Sequence, residues 1–330
     1  MKQSYYLFKS CRLQRKDNTL EIVYKDNSKR SIPIERVRDI YIMSEFDFNT
    51  SLLNFISTSG INLHFFNYYG FYTGTYYSKD SLVSGKLLVK QVESYLNNNK
   101  RVKIARVIID AASYNIYRNL TYYNNRGRSL ESYMEKIDEL RSKLKFCTTV
   151  EEIMGVEGNI RKIYYETWNY IINQNISFDK RVKNPPDNSI NSVISYLNTL
   201  CYTKVLSQIY MTQINPTISY LHEPSEKRFS LCLDISEIFK PIIVDRLIFS
   251  MFNKNQIKSD DFEKGLNYVY IKDKARMEIT KQFDLKLQQT IKHKKLGRDV
   301  TYEYLIRLEI YKLIKYLTED IEYDGFKMWW

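Results

Sequence analysis

The sequence predicts an α+β chain, with a small N-terminal β-rich domain over residues 1–83 and a larger all-α domain over residues 84–330. Three observations predict it. Short runs rich in Ile, Val, Tyr and Phe, broken by turn residues, fill the N-terminal part. From Lys86 onward apolar residues recur at helical spacing. Gly (10) and Pro (6) are scarce among 330 residues, which favours long regular elements over a loop-rich all-β chain.

The expected strands are SYYLFKS, TLEIVYKD, KRSIPIE, RDIYIM, INLHFFN and FYTGTYY, with KDN, KDNS and YYG as turns. Between them NTSLLNFISTSG reads as one helix, with Leu52, Leu53 and Ile56 on one face and Gly60 placed to stop it. The pattern changes after SKDSLVSG, and the boundary is expected within residues 78–90. Leu87, Leu88, Val92 and Tyr95 start the helical register, which Val102, Ile104, Val107 and Ile108 continue. SLESYMEKIDELRSKLKF carries an amphipathic stripe of Leu130, Tyr133, Met134, Ile137, Leu140 and Leu144. Further helices fit residues 150–175, 188–214, 234–253, 273–292 and 301–319.

Hydrophobic residues make up 44% and charged residues 27%, the balance of a soluble globular chain. The net charge of +12 favours a polyanionic partner, although the codon bias of an AT-rich genome would also enrich Lys, Asn, Ile and Tyr. Cys11, Cys147, Cys201 and Cys232 form no CxxC pair, which excludes a zinc knuckle and argues against a disulfide framework. No run approaches the ~18 uncharged apolar residues of a membrane span, so a cytoplasmic chain with no membrane partner is expected.

Four polar positions in the helical region invite chemistry. In VEEIMGVEGNIRKIYYETW, Glu157 lies between Gly155 and Gly158, with Arg161 and Lys162 a turn later. The Glu157–Arg161 spacing is open to two readings: a surface helix pair, or a carboxylate and cations facing one phosphate. His222 precedes the polar loop EPSEKR. Asp234 and Glu237 lie three apart on one helical face among Leu233, Ile235, Ile238 and Phe239, and two such carboxylates need a cation, from Lys240, Arg246 or a metal. Glu157, His222 and the Asp234/Glu237 pair supply oxygens and one nitrogen, a donor set for Mg²⁺ or Mn²⁺ rather than structural zinc.

The segments GVEGNIRKIYY, NSINSVISYLNTLCYTKVL, NPTISYLHEP and LCLDISEIFKPIIVDR resemble the family of CRISPR-associated spacer-acquisition integrases, the near-universal first Cas protein, in its type I-B form. RLQRKDNTLEIVYKDNSKRSIPIERVRDIYI and GINLHFFNYYGFYTG match it too, so the resemblance spans nearly the whole chain in order. It implies an N-terminal β domain used in dimerisation and an α-helical catalytic domain that binds DNA. Glu157, His222 and Glu237 fall on its metal ligands, and Asp234 on a further acid of the catalytic groove. Tyr202 falls on a tyrosine near the metal and Lys240 on a basic residue near the DNA path; Arg161 and Lys162 join Lys240 as expected DNA-positioning residues. The run Lys292–Lys295 reads either as a further DNA contact or as a solvated helix end. Cys11 stands where relatives often have Gly in the first turn, which puts only that turn's geometry in question.

The implied activity is insertion of new spacers into a CRISPR array, by attack of a 3′-hydroxyl on a phosphodiester. The implied partners are the DNA fragment and the leader–repeat, a second copy of the chain, the small second adaptation protein, and a fourth-family Cas exonuclease. Two rival readings stay open on the same residues: a structure-selective nuclease acting on branched DNA in repair, and a non-catalytic DNA-binding scaffold.

Overall fold

The computed structural model describes residues 2–77, 82–183, 185–226, 228–265, 268–319 and 321–329. The chain divides into two compact units, Met1–Val83 and Ser84–Trp330. Residues 78–81, in the expected boundary stretch, lie outside the described residues.

The first unit runs β1 (Gln3–Leu7), β2 (Cys11–Lys16), β3 (Thr19–Tyr24), β4 (Lys29–Pro33), β5 (Val37–Ile42), β6 (Phe46–Asp47), α1 (Thr50–Thr58), β7 (Asn62–Phe66) and β8 (Tyr72–Tyr76). One sheet has the order β1-β5-β7-β8 and the other β4-β3-β2-β6. Strands β1, β5 and β7 run parallel, with β8 antiparallel at the edge. Side chains that alternate across the strands put Leu13, Leu20, Ile22, Ile40, Ile42 and Leu63 into one core, which Leu52 and Ile56 of α1 complete. Helix α1 starts where the Asn49 side chain accepts the Leu52 N–H at 3.0 Å. It ends at Gly60, whose φ of +67° suits glycine.

Strands β2 and β6 lie outside the six expected runs. In CRLQRK only Cys11 and Leu13 are buried, and the charged Arg12, Arg15 and Lys16 hide the period of two. Cys11 is an extended residue paired with Tyr24 and Phe46, not part of a turn, so a side chain there meets no left-handed geometry.

The second unit contains α2 (Gly85–Leu96), α3 (Asn98–Asn124), α4 (Glu131–Lys143), α5 (Val150–Glu166), α6 (Trp168–Ile171), α7 (Ser189–Ile209) and α8 (Ser230–Phe239). A π-helical segment, Lys240–Asp245, joins α8 to α9 (Arg246–Asn253). A short hairpin of β9 (Phe262–Lys264) and β10 (Val269–Ile271) precedes α10 (Asp273–Gln288). A second, β11 (Thr290–Lys292) and β12 (Asp299–Thr301), precedes α11 (Tyr302–Glu319). Helix α7 is buried on almost every face, its polar Asn191, Lys204 and Gln208 included, and it forms the centre on which α8 and α11 pack.

Four expected helices are redrawn: the one over 150–175 divides into α5 and α6 and ends at Ile171, and the one over 188–214 stops at Ile209. The helix expected over 273–292 stops at Gln288, and Lys292–Lys295 fall at the end of β11 and in its turn, not at a helix end. The helix expected over 234–253 starts at Ser230 and is interrupted by the π-helical segment. Pro241 has no N–H to donate there. Asn115 and Asn119, a turn apart on α3, supply donors instead: Asn115 Nδ2 reaches the Ile238 carbonyl at 3.1 Å and Asn119 Nδ2 the Pro241 carbonyl at 2.7 Å. Among the described residues no helix is long and apolar enough to cross a membrane.

Candidate active site

Helix α5 begins with a reciprocal cap. Thr149 Oγ1 accepts the Glu152 N–H at 3.2 Å, and Glu152 accepts the Thr149 N–H at 3.3 Å. From that fixed start the helix carries Glu157 and, one turn on, Arg161. Gly155 and Gly158 flank Glu157 in sequence with open space where a side chain would begin, so the helix shows bare backbone at those two positions. Helix α8 is set at its start by Tyr202 of α7, whose hydroxyl accepts the Phe229 N–H at 3.0 Å. It then carries Asp234 and, a turn later, Glu237.

Arg161 ties the two helices together. Its Nε donates to Glu157 Oε1 at 3.2 Å and its Nη2 to Glu237 Oε2 at 2.7 Å, while Nη1 lies 3.7 Å from Asp245 Oδ2. Lys240 Nζ takes the other Glu237 oxygen at 2.5 Å. Burial works to raise the Glu237 carboxyl, but the Lys240 and Arg161 cations outweigh it and hold the group well below the usual carboxylate range. Glu157 moves the opposite way: burial raises it, the Glu237 charge adds to that, and Arg161 offsets only part. Burial likewise raises Asp245 to about 6 despite Arg161. Two neighbouring carboxylates held apart in acidity define this site.

His222 is held by Asp234. Asp234 Oδ1 accepts both the His222 N–H at 3.0 Å and the ring Nδ1 at 2.9 Å; Oδ2 accepts the Tyr220 and Leu221 N–H groups at 2.7 and 3.0 Å. A carboxylate only accepts, so Nδ1 carries a proton, and the tautomer this bond selects is the one with its lone pair on Nε2. The His222 loop is also clasped from α2 and α3. Arg101 donates to the Tyr220 carbonyl at 3.1 Å and to Glu223 at 2.6 Å, and Tyr95 donates to Glu223 as well. Gln91 exchanges two hydrogen bonds with the backbone of Asn215.

The expected site residues therefore separate into distinct positions. Glu157 and Glu237 share Arg161, and the imidazole of His222 is close enough to help lower Glu237. Asp234 is fully buried, with both oxygens committed to the His222 segment, so it positions the imidazole and faces no substrate. Arg161 and Lys240, expected on DNA, are bound to carboxylates. Lys162 is exposed on α5, and the Tyr202 hydroxyl holds the start of α8. Asp245 and the Asn115/Asn119 pair were not singled out in the sequence; the i, i+4 spacing of the asparagines on a helix was their only signal.

The donor set fits a divalent cation in kind: two carboxylates, and an imidazole whose other nitrogen is fixed by a buried carboxylate, the arrangement that orients metal-bound histidines. Among the described residues no three such side chains converge at one ligand point. Arg161 and Lys240 supply the positive charge that Glu237 needs in this conformation.

A family model described as CRISPR associated protein Cas1 matches residues 5–284. A CRISPR-associated endonuclease Cas1 from Fusobacterium nucleatum subsp. nucleatum is 58% identical over 330 residues, covering 100% of this chain and 98% of the relative. The solved structure of a CAS1 protein from Thermotoga maritima is similar with a TM-score of 0.86 and 36% identity, covering 99% of this chain and 100% of that one. A chain of a Cas6-RT-Cas1–Cas2 complex shares the fold at a TM-score of 0.84 and 18% identity, covering 100% of this chain and 36% of its own length. A site built from an α5 glutamate, a carboxylate-anchored histidine and an α8 glutamate thus sits in a chain whose matches run from end to end, and the chain belongs to the CRISPR-associated Cas1 family.

Proposed function

We propose that the chain is a metal-dependent DNA endonuclease and integrase that inserts new spacers into a CRISPR array during adaptation. The observation that carries this reading is the His222 imidazole fixed through Nδ1 on Asp234, with Nε2 left as a donor beside the Glu157–Arg161–Glu237 cluster. A DNA-binding scaffold has no use for buried carboxylates next to phosphate, whereas phosphoryl transfer does.

Glu157, His222 and Glu237 would hold Mg²⁺ or Mn²⁺, which when bound stabilises charge on the attacked phosphate. Asp234 keeps the imidazole in the one tautomer that presents a lone pair at Nε2. Arg161 and Lys240 neutralise Glu237 in the free protein and are the cations that a phosphate oxygen approaching this carboxylate meets first. Tyr202 and Lys162 lie on the α7 and α5 helices that frame the site, and DNA contact belongs to this reading for both. In the reaction a 3′-oxygen forms a new bond to phosphorus as the bond to the leaving 3′-oxygen breaks, and the proton passes from the attacking to the leaving hydroxyl. One phosphodiester replaces another, so no nucleoside triphosphate is consumed. Water in place of the 3′-hydroxyl gives hydrolysis.

The partners follow from the family: a second copy of the chain through the first unit, the small second adaptation protein, a fourth-family exonuclease that trims fragments, and a cytoplasmic setting. The Cas6-RT-Cas1–Cas2 complex supports the pairing with the small partner. The test is joining of a duplex with free 3′ ends to a supercoiled repeat-containing plasmid, with the small partner and Mn²⁺. Joined product that is lost with a chelator and in Glu157→Ala, His222→Ala and Glu237→Ala supports the reading. Metal-dependent nicking without joining points to the repair nuclease. DNA processing unchanged by all three substitutions leaves only the scaffold.

A further inference from the structure

Residues 210–229, between α7 and α8, form no helix or strand among those described. His222 therefore takes no position from a backbone ladder, and side chains of other elements must set it. Asp234 does so from α8, by accepting the N–H groups of Tyr220, Leu221 and His222 and the ring Nδ1. A carboxylate holds only the donors of the loop. Its acceptors are held from α3, by Arg101.

Arg101 spans the histidine. Its Nε donates to the Tyr220 carbonyl at 3.1 Å, before the imidazole, and its Nη2 to Glu223 Oε2 at 2.6 Å, after it. The Tyr220 carbonyl and the Leu221 N–H belong to one planar peptide unit. Arg101 grips that unit at its oxygen and Asp234 grips it at its N–H, at 3.0 Å, so it cannot turn without breaking a bond. An ordinary surface ion pair accounts for Glu223, which is 63% exposed, but not for the second bond to a backbone carbonyl. Arg101 is itself fixed. Its guanidinium lies 4.4 Å over the Tyr95 ring, and the Tyr95 hydroxyl donates to the same Glu223. Tyr95 stands in the last turn of α2 and Arg101 in the first turn of α3. Between them Asn97 caps α3 by accepting the Lys100 N–H at 3.1 Å, which sets the corner from which both residues reach the loop.

We propose that Arg101, braced by Tyr95, is a positioning residue for His222: it fixes the acceptors of the loop as Asp234 fixes the donors, and the two together set where the imidazole Nε2 points. The arrangement needs a guanidinium. Two donors in one rigid plane serve the carbonyl and the carboxylate at once, whereas the ammonium of lysine is a single point on a flexible stem. That the imidazole serves a metal rests on the function proposed above; that Arg101 holds it still does not.

The experiment uses the full-length protein with isotope-labelled histidine, read by nuclear magnetic resonance in chelator. The chain has three histidines, so His222→Ala assigns the ring signals. Arg101→Lys is the main variant, because it keeps the charge and loses the fork. Tyr95→Phe is the milder one, because it keeps the ring under the guanidinium and loses only a hydroxyl. Exchange of the His222 Nδ1 proton with water is expected to quicken by about 10-fold or more in Arg101→Lys and by about threefold in Tyr95→Phe. The rings of His64 and His293 should not change. Calorimetric Mn²⁺ affinity should fall about 10-fold in Arg101→Lys. Unchanged His222 exchange in both variants overturns the proposal. So does a lower urea midpoint with unchanged exchange, because Arg101 would then only hold the fold. Faster exchange beside absent or unchanged Mn²⁺ binding upholds the positioning and counts against the metal reading alone.

Discussion

Asp234 commits four acceptor positions to three consecutive residues, Tyr220, Leu221 and His222. Asn at this position would turn an N–H₂ toward one pair of donors in a site closed to water. Asp234→Asn is expected to cost about 2–3 kcal/mol of stability. It is also expected to weaken Mn²⁺ binding by about 10–100-fold, because the imidazole loses its fixed tautomer. Urea unfolding and calorimetric Mn²⁺ titration measure the two effects; a stability loss with unchanged Mn²⁺ affinity would restrict Asp234 to the loop fold. Lys286 makes a prediction with the opposite sign. Its folded value of about 8 lies below the ordinary 10.5, so below pH 8 both folded and unfolded chains carry the charge and the folded state bears its full cost. Between pH 8 and 10.5 the unfolded chain holds more protons, and stability rises with pH. The Tyr302 ring, 4.0 Å from Nζ, offsets part of the cost. Lys286→Met should stabilise the protein at pH 7 by on the order of 1–3 kcal/mol, with the advantage shrinking toward pH 10. Urea midpoints at the two pH values decide it; an equal gain at both would mean packing, not charge.

At the scale of the element, α5 carries two features that pull against its stability. Gly155 and Gly158 each weaken a helix interior relative to Ala, yet nothing lies within 4 Å of a Cβ built on either. Gly158→Ala is therefore expected to stabilise the fold by about 0.5–1 kcal/mol, a rise in Tm of a few degrees for a unit of this size. If DNA lies against this bare turn, the same variant loses joining activity while gaining stability. Calorimetry and the plasmid-joining assay on one preparation separate the two, and a gain in both would remove the reason for glycine here. The glycines flanking Glu157 were visible in the sequence, as was the stop of α1 at Gly60, because both rest on local rules. The π-helical segment was not. Pro241 within an apolar run marks a break, but its form depends on Asn115 and Asn119, more than a hundred residues away. Strand β2 was hidden for a related reason: its charged residues mask a two-residue period that only pairing with β3 brings out. The role of Arg161 likewise needed the fold. Its i, i+4 partner Glu157 is local, but Glu237 and Asp245 reach it only when α5 packs near the π-helical segment.

For the whole molecule, dimerisation is the proposed property that the first unit can test. The turn between β7 and β8 is rigid, since Asn67 Oδ1 accepts the N–H groups of Tyr69 and Phe71, both at 3.0 Å, and Gly70 takes a φ of +81°. That rigid turn exposes Tyr68 (75%), Tyr69 (54%) and Phe71 (43%) on a chain whose net charge of +12 would otherwise keep copies apart. Fixed aromatic side chains lose little entropy on being covered, which makes them effective interface anchors. Burying each ring in a second copy contributes on the order of 1.5–3 kcal/mol, and a symmetric contact uses each of them twice. Replacing all three with Lys in the full chain is therefore expected to raise the dimer dissociation constant by at least about 100-fold. The fold should be unaffected, because none of the three side chains belongs to the core. Sedimentation velocity over a concentration series gives the constant, and circular dichroism checks the fold. A dimer of unchanged affinity would place the contact on another face, and the three rings would then be surface residues with no part in assembly.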